Sequence, residues 1–431
     1  MKLNIAYSKQ IAAFMLLLSS FSASSFVCRE DRRTSSVYET RGVWVTRWDY
    51  TTRTGSMKPD VHKKEIKRLF RVAKESNLNT VFFQVRGSFD AYYQSEYEPW
   101  ALNLSGVLGV DPGWDPLAFA IKEAESLGLK LHAWVNTFTL WKGVDPPGAS
   151  TPKHAYLEHP EWIVADISGS TMKLSNHYVY ASPGNIEVRE HILKVVIDIA
   201  EKYDVDGIHF DYIRYPEGAM QLGYSHDSTS VSEFNRRNAN QDALNWDDWQ
   251  RDNIHQLVRA IRDSVKYVNE NIALSAAVLG KYRLPGWSGY DVAFQDAVPW
   301  IEEGWLDFIV PMIYTRRDHY TSSFTEIVQN WNKRTRKPNS ILAGIAVYMA
   351  EGEKGWGWKE IAYQIADVRG TNIGGMVFFN ATALKSNWEE IHSEFFQNPA
   401  LPQPLLRQET VTDLAAQTIE TEPKAAQKAG Y

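Results

Sequence analysis

Residues 203–216 read YDVDGIHFDYIRYP. Taken as a strand, the stretch places Ile208 and Phe210 on one side with Asp206, and Gly207, His209 and Asp211 on the other. An ordinary half-exposed strand would turn the second set to water. In a closed barrel that set faces the interior, where a carboxylate near the strand's C-terminal end carries a desolvation cost unless it serves a site. The neighbouring sequence decides between the two.

Seven further β-rich runs flank this one: residues 42–48, 79–86, 129–136, 272–280, 305–314, 340–348 and 374–380, with 206–213 as the fourth of eight. Amphipathic segments fill the gaps. Ile66, Leu69, Phe70 and Ala73 share a helical face, and DPLAFAIKEAESLG offers an Asp cap, Pro in the first turn and a stop at Gly128. Nearly continuous Val, Ile and Phe strands alternating with such helices predict a parallel sheet covered by helices. Eight repeats predict an α/β fold of the TIM type, a (β/α)8 barrel, over residues 41–397. An open doubly wound sheet is the alternative, disfavoured because no Gly-rich phosphate turn follows the first strand. The segments 87–114, 137–184 and 214–245 are long, polar and aromatic, whereas the returns from helix to strand are short. Long loops at one end of a barrel build a site.

The chain's 431 residues, 44% of them hydrophobic, suffice for one large core or two moderate ones. A formal charge of −6 offers no basic surface for nucleic acid. Lys2 and Lys9, the apolar run Ile11 to Leu18 and the tract SSFSASS follow the order of a secretory signal peptide, predicted over residues 1–27. The apolar run is too short for a permanent span. Cys28, the single cysteine, could take a lipid anchor; Val27 is bulkier than lipoprotein processing usually accepts, and cleavage after Ser24 or Ser25 is the alternative. The expectation is an exported protein, periplasmic, envelope-bound or secreted, with a polar connector over 28–40 and a mobile tail over 398–431. Aromatic residues make up 13% of the chain, enough to line a core and to offer flat platforms for the C–H faces of sugars.

At the predicted strand ends stand Trp48, Gln84, Arg86, His132, Asn136, His209, Asp211, Arg214, Tyr314 and Tyr348, with Asp90, Asp296 and Glu351 in the loops beyond. Acids, amides, imidazoles and phenols suit a polyhydroxylated, uncharged ligand. Neither a phosphate cradle nor a metal trio stands out, so no cofactor is expected.

The blocks RGVWV, VFFQVR, EPW, GWDPLAFAIKEAESLGLKLHAWVN, SPGNIEVREHI, YDVDGIHFDYIRYP, QDAVPWIEEGWLDFIVPMIY and GGMVFFN together resemble the glycosyl-hydrolase-like family ten barrels. The likeness spans residues 40–395. It implies a bacterial envelope glycosidase and, as substrate, peptidoglycan glycan strands stripped of stem peptides. The fourth-strand segment also resembles the chitinase signature of family eighteen, but His209 replaces one of its aspartates and the terminal glutamate is missing.

Glycoside hydrolysis needs two carboxyl groups flanking the bond. Asp211 is the candidate nucleophile or base, its alternative being a countercharge for Arg214 or Arg86. The proton donor is sought among Asp296, Asp90 and Glu351, whose bland alternatives are helix capping, turn formation and simple exposure. Trp48, Gln84, Arg86, His132, Asn136, His209, Arg214, Tyr314 and Tyr348 are the candidate substrate contacts. A glycan-binding barrel without catalysis is the competing function.

Overall fold

The computed structural model describes residues 38–52, 55–236, 242–352, 355–386 and 388–404. The expected signal segment and Cys28 lie outside the described residues, and no described helix is long and apolar enough to cross a membrane.

Ten strands form: β1 (Thr40–Val45), β2 (Thr80–Arg86), β3 (Lys130–Asn136), β4 (Thr139–Gly143), β5 (Ser175–Tyr180), β6 (Gly207–Asp211), β7 (Ala273–Leu279), β8 (Phe308–Ile313), β9 (Leu342–Ile345) and β10 (Gly375–Phe379). Eight of them close a barrel in the order β1-β10-β9-β8-β7-β6-β3-β2. All eight predicted runs supply one barrel strand each, and every neighbouring pair is parallel. The architecture is the (β/α)8 barrel, with β4 and β5 pairing antiparallel in the long segment between β3 and β6.

Strand periodicity divides the apolar side chains into two bodies. Val43, Val45, Val81, Phe83, Leu131, Val135, Ile208 and Phe210 point outward into the layer shared with the helices. Trp44, Phe82, Trp134, Ala277, Val310, Leu342 and Val377 point inward and plug the barrel. Each fully buried side chain of this kind stabilises the fold by about 1.5–3 kcal/mol.

The helices begin and end where their chemistry dictates. Asp115 caps Pro116–Leu127 by accepting from the Ala118 N–H at 2.9 Å, and Gly128 closes it at φ 64°. Pro59–Glu75 buries Ile66, Leu69, Phe70 and Ala73 on its inner face.

The packed chain runs past the predicted end at residue 397. The Glu39 N–H donates to Leu401 O at 2.9 Å, the Gln403 N–H to Thr40 Oγ1 at 2.9 Å, and Arg41 Nη1 to Asn398 O at 2.7 Å. The segment 398–404 therefore belongs to the base of the barrel. Its prolines and small polar side chains resemble a loose tail in sequence, and backbone pairing fixes it nonetheless; residues 405–431 lie outside the described residues.

Candidate active site

β6 ends in Asp211, directly across from Asn136 at the end of β3. The alternation read from the sequence holds: Gly207, His209 and Asp211 face the interior, and Ile208 and Phe210 face the helices. Asp211 is only 6% exposed. Its Oδ1 accepts the Tyr212 N–H at 2.6 Å and lies 3.3 Å from Arg214 Nη1. Burial pushes the carboxyl above its ordinary range; Arg214, the Tyr212 N–H and the nearby Trp134 indole pull the other way without cancelling it. That indole N–H is itself buried and short of hydrogen-bond geometry with any acceptor.

The backbone is strained beside this acid. Tyr212 has φ 52°, a left-handed conformation rare for an aromatic residue and costing about 1–2 kcal/mol. The strain turns the chain sharply out of β6 and lays the Tyr212 ring against Tyr178 of β5, centroids 5.2 Å apart, and under the Arg214 guanidinium at 4.4 Å. Tyr180 packs on the same ring at 6.2 Å. Across the mouth, Tyr314 lies 5.7 Å from Phe379 and 6.2 Å from the half-exposed Tyr348. Burial and the field of Asp211 both raise the Tyr314 phenol.

A second acid sits on the loop after β2. Asp90 Oδ1 accepts N–H bonds from Gly87 at 3.2 Å and Ser88 at 2.7 Å. Phe89, immediately before it, is also left-handed at φ 54°. Arg47 connects this acid to the aromatic rim. Its Nη2 donates to the Tyr178 hydroxyl at 3.1 Å, its guanidinium lies 4.5 Å over Trp48, and Asp90 is among the groups that favour its charge against burial.

Other predicted residues serve the scaffold beneath the mouth. Gln84 Nε2 donates to Asn136 Oδ1 at 3.0 Å, Gln84 Oε1 accepts the Arg47 N–H at 3.0 Å, and Asn136 Nδ2 donates to Gly87 O at 3.1 Å. Arg86, fully buried, grips Glu98 through Nε at 2.8 Å and Nη2 at 2.7 Å and also binds the Thr137 carbonyl at 2.8 Å. Burial alone would raise Glu98; the Arg86 charge and the His191 hydrogen bond overcome it and hold the carboxyl at about 2. Arg86 thus has its partner in Glu98 rather than in Asp211 or a substrate.

His209 and His132 do not reach the mouth. Trp44 Nε1 donates to His209 Nε2 at 3.1 Å, so the remaining ring proton lies on Nδ1 and is donated to Ser275 Oγ at 2.9 Å. His209 is a satisfied interior histidine, held neutral by burial. His132, near the start of β3, lies one layer lower and lines a cavity at the base. The sequence placed His209 on the polar side of its strand and counted both histidines among the strand ends, but periodicity alone does not give depth along the barrel.

Asp296 turns toward the outer helix layer. His255, on helix Trp246–Val268, stands 3.5 Å from its Oδ2, and the Tyr282 hydroxyl donates to its Oδ1. Burial would raise this carboxyl, and the bonds from His255 and Tyr282 outweigh it. Glu351 is exposed in the loop after β9. The structure therefore gathers Asp211, Arg214, Tyr314 and Tyr348 at the mouth, with Trp48 under the Arg47 guanidinium and Asp90 in the field of that charge. Sequence reasoning passed over Arg47, Tyr178, Tyr180, Glu98 and Glu217, whose field reaches Tyr180. The EPW block around Glu98 was the one available signal.

Residues 39–354 match the family described as Glycosyl hydrolase-like 10. The chain is 28% identical over 387 residues to Glycosyl hydrolase YngK of Bacillus subtilis (strain 168), covering 84% of this chain and 73% of that protein. It is 27% identical over 291 residues to Glycosyl hydrolase DigH of Escherichia coli (strain K12), covering 63% and 62%. Among solved structures, the PgaB (BpsB) glycoside hydrolase domain of Bordetella bronchiseptica superposes with a TM-score of 0.57 at 13% identity, over 82% of this chain and 98% of that one. The catalytic domain of β-amylase from Paenibacillus polymyxa gives 0.55 at 10% identity, over 84% and 99%. At such identities the structural likeness is one of fold. The family match over most of the barrel carries the assignment: the chain belongs to the glycosyl hydrolase-like 10 family.

Proposed function

We propose that the protein is an exported glycoside hydrolase that cleaves amino-sugar glycan strands of the peptidoglycan type, with Asp211 at the centre of its chemistry. The observation that carries this reading is the Asp211 carboxyl itself, buried at the end of β6, raised by desolvation and bordered by a strained Tyr212. A carboxyl whose pKa is raised by desolvation suits proton donation to a leaving oxygen better than an ordinary one does. This favours the donor role over the nucleophile or base role read from sequence. In the reaction, the Asp211 proton passes to the glycosidic oxygen as the C1–O bond breaks, and a second carboxylate attacks C1 or takes a proton from the attacking water.

Asp90 is the candidate for that second carboxylate, because two backbone N–H groups fix it on the same face of the barrel. The Tyr178, Tyr180 and Tyr212 rings offer sugar-stacking surface, with their hydroxyls as polar handles. Family membership supports glycoside hydrolysis, the amino-sugar substrate is what the sequence resemblance implies, and the charged, apolar and small-residue order of the N-terminus supports export.

The test is incubation of the purified protein with glycan strands bearing and lacking stem peptides, followed by analysis of reducing ends. New reducing ends from the stripped strands, lost in both Asp211→Asn and Asp90→Asn, are expected. Saturable retention on the glycan without new ends would establish the non-catalytic binding barrel instead.

A further inference from the structure

The proposed hydrolysis uses one end of the barrel, and the other end is hollow. At the N-terminal ends of the strands lies a cavity of about 280 Å³, near the lower limit of ordinary small-ligand pockets, about 300 Å³. The interior plug separates it from Asp211: the Phe82 ring stands between His132, 5.1 Å away, and His209, 4.4 Å away.

His132 lines this cavity, is 5% exposed, and has no hydrogen-bond partner for either ring nitrogen among the described residues. Its Nδ1 is shut against β6 where Gly207 stands; a Cβ there would come within 2.2 Å of that nitrogen. A proton on Nδ1 would be buried facing Gly207 with nothing to accept it, so the neutral ring carries its proton on Nε2, the nitrogen left to the cavity. Burial keeps the ring neutral, with its pKa lowered to about 4. Nε2–H is thus a donor on a buried ring that no described side chain or backbone group satisfies, and it is open to a partner in the cavity.

The walls say what kind of partner fits. The two acids are already engaged: Asp206 takes Lys130 at 2.7 Å and the Leu131 N–H at 2.9 Å, and Asp307 takes the Leu274 N–H at 2.7 Å and Lys266 at 3.2 Å. Each carboxylate thus has a lysine, leaving no uncompensated charge to attract an ion. Asn271, Asn339 and Ser340 add amides and a hydroxyl, and the Phe308 ring, 5.6 Å from His132, adds a flat apolar face. Amides and a hydroxyl around one aromatic face suit a ring with hydroxyls at its edge.

We propose that this cavity is a second ligand site, one that takes a neutral hydroxylated molecule about the size of a single sugar ring. A ligand oxygen accepts from His132 Nε2–H, and the ligand's C–H face lies on Phe308. The site is independent of the catalytic reading, since nothing in it depends on Asp211.

The test is a titration of the full chain, labelled with ¹⁵N-histidine, with N-acetylglucosamine, glucose and glucuronate, following the His132 ring resonances identified by their loss in His132→Phe. Saturable movement with one or both neutral sugars, weaker with the anionic one, is expected, and it persists in Asp211→Asn. Asn271→Trp, a change at an exposed position of the cavity lining, reduces the response at least tenfold and serves if His132→Phe fails to fold. Movement with N-acetylglucosamine alone would mark an amino-sugar site, and movement with both a general polyol site; either supports the proposal. It is overturned if no sugar moves the His132 signals, if Asn271→Trp leaves the response unchanged, or if crystals soaked in the sugars hold only water there.

Discussion

Arg214 Nη1 stands 3.3 Å from Asp211 Oδ1 while its guanidinium lies flat on the ring of Tyr212, the residue between them in the turn out of β6. One residue's charge thus sets how firmly the other holds its proton. Burial raises the Asp211 carboxyl, and Arg214 is the largest of the opposing influences. Arg214→Gln removes that opposition, so Asp211 keeps its proton to higher pH. For a proton donor, the alkaline limb of the kcat/KM profile then moves to higher pH. A limb that stays in place in the variant rejects Asp211 as the donor.

Asp211→Asn should separate stability from activity. A carboxyl whose folded-state pKa is raised costs the fold nothing below its unfolded pKa and destabilises it as pH climbs through the folded value. Removing the charge therefore raises Tm at neutral pH, while hydrolysis falls by about 10²–10⁴-fold through loss of the proton donor. Thermal melts beside reducing-end assays check both; a variant less stable at neutral pH would show that the carboxylate is a structural countercharge for Arg214.

The buried Arg86–Glu98 pair has the opposite sign. Glu98 is held at about 2, so its stabilisation is fully present above its unfolded value of 4.5 and is lost as pH falls toward 2. Glu98→Gln leaves Arg86 buried without its countercharge and should destabilise the fold by about 3–5 kcal/mol. Denaturant melts at neutral and acid pH measure this, and the deficit of the variant should narrow as the wild type is acidified.

The Trp44–His209–Ser275 relay inside the barrel is a stability device remote from the mouth. Ser275→Ala leaves the His209 Nδ1–H without its acceptor and should cost about 1–3 kcal/mol with kcat nearly unchanged. His209 is depressed well below 6.5 by burial. The unfolded chain binds its proton below that value and the folded chain does not, so stability should fall as pH drops below about 6.5. Equal melts of wild type and His209→Phe across that range would contradict this.

Much of this was legible in the sequence. Period-two alternation gave the inward side of 207–211, near-continuous apolar runs gave the other barrel strands, and the Asp115 and Gly128 caps gave a helix to the residue. Depth was not legible. His132, His209 and Asp211 obey one periodicity, yet they stand at the base, in the plug and at the rim, because a strand's start relative to the barrel wall follows from register with its neighbours. Partner choice was equally hidden. Arg86 finds Glu98 twelve positions on, and Asp296 finds His255 on a helix, pairings made by loops whose paths no local pattern encodes. Tyr178 and Tyr180 were missed because β5 is a strand outside the barrel repeat.

The chain also enters and leaves the barrel at one place. Tyr38 bridges Leu401, and Gln403 Nε2 donates to the Tyr38 carbonyl at 3.1 Å. A circular permutant that joins Gln403 to Tyr38 through a few added residues, with new ends opened beside the exposed Tyr320, would therefore keep every strand between its present neighbours. For this barrel the order of the gene is one of several equivalent ways around the same ring.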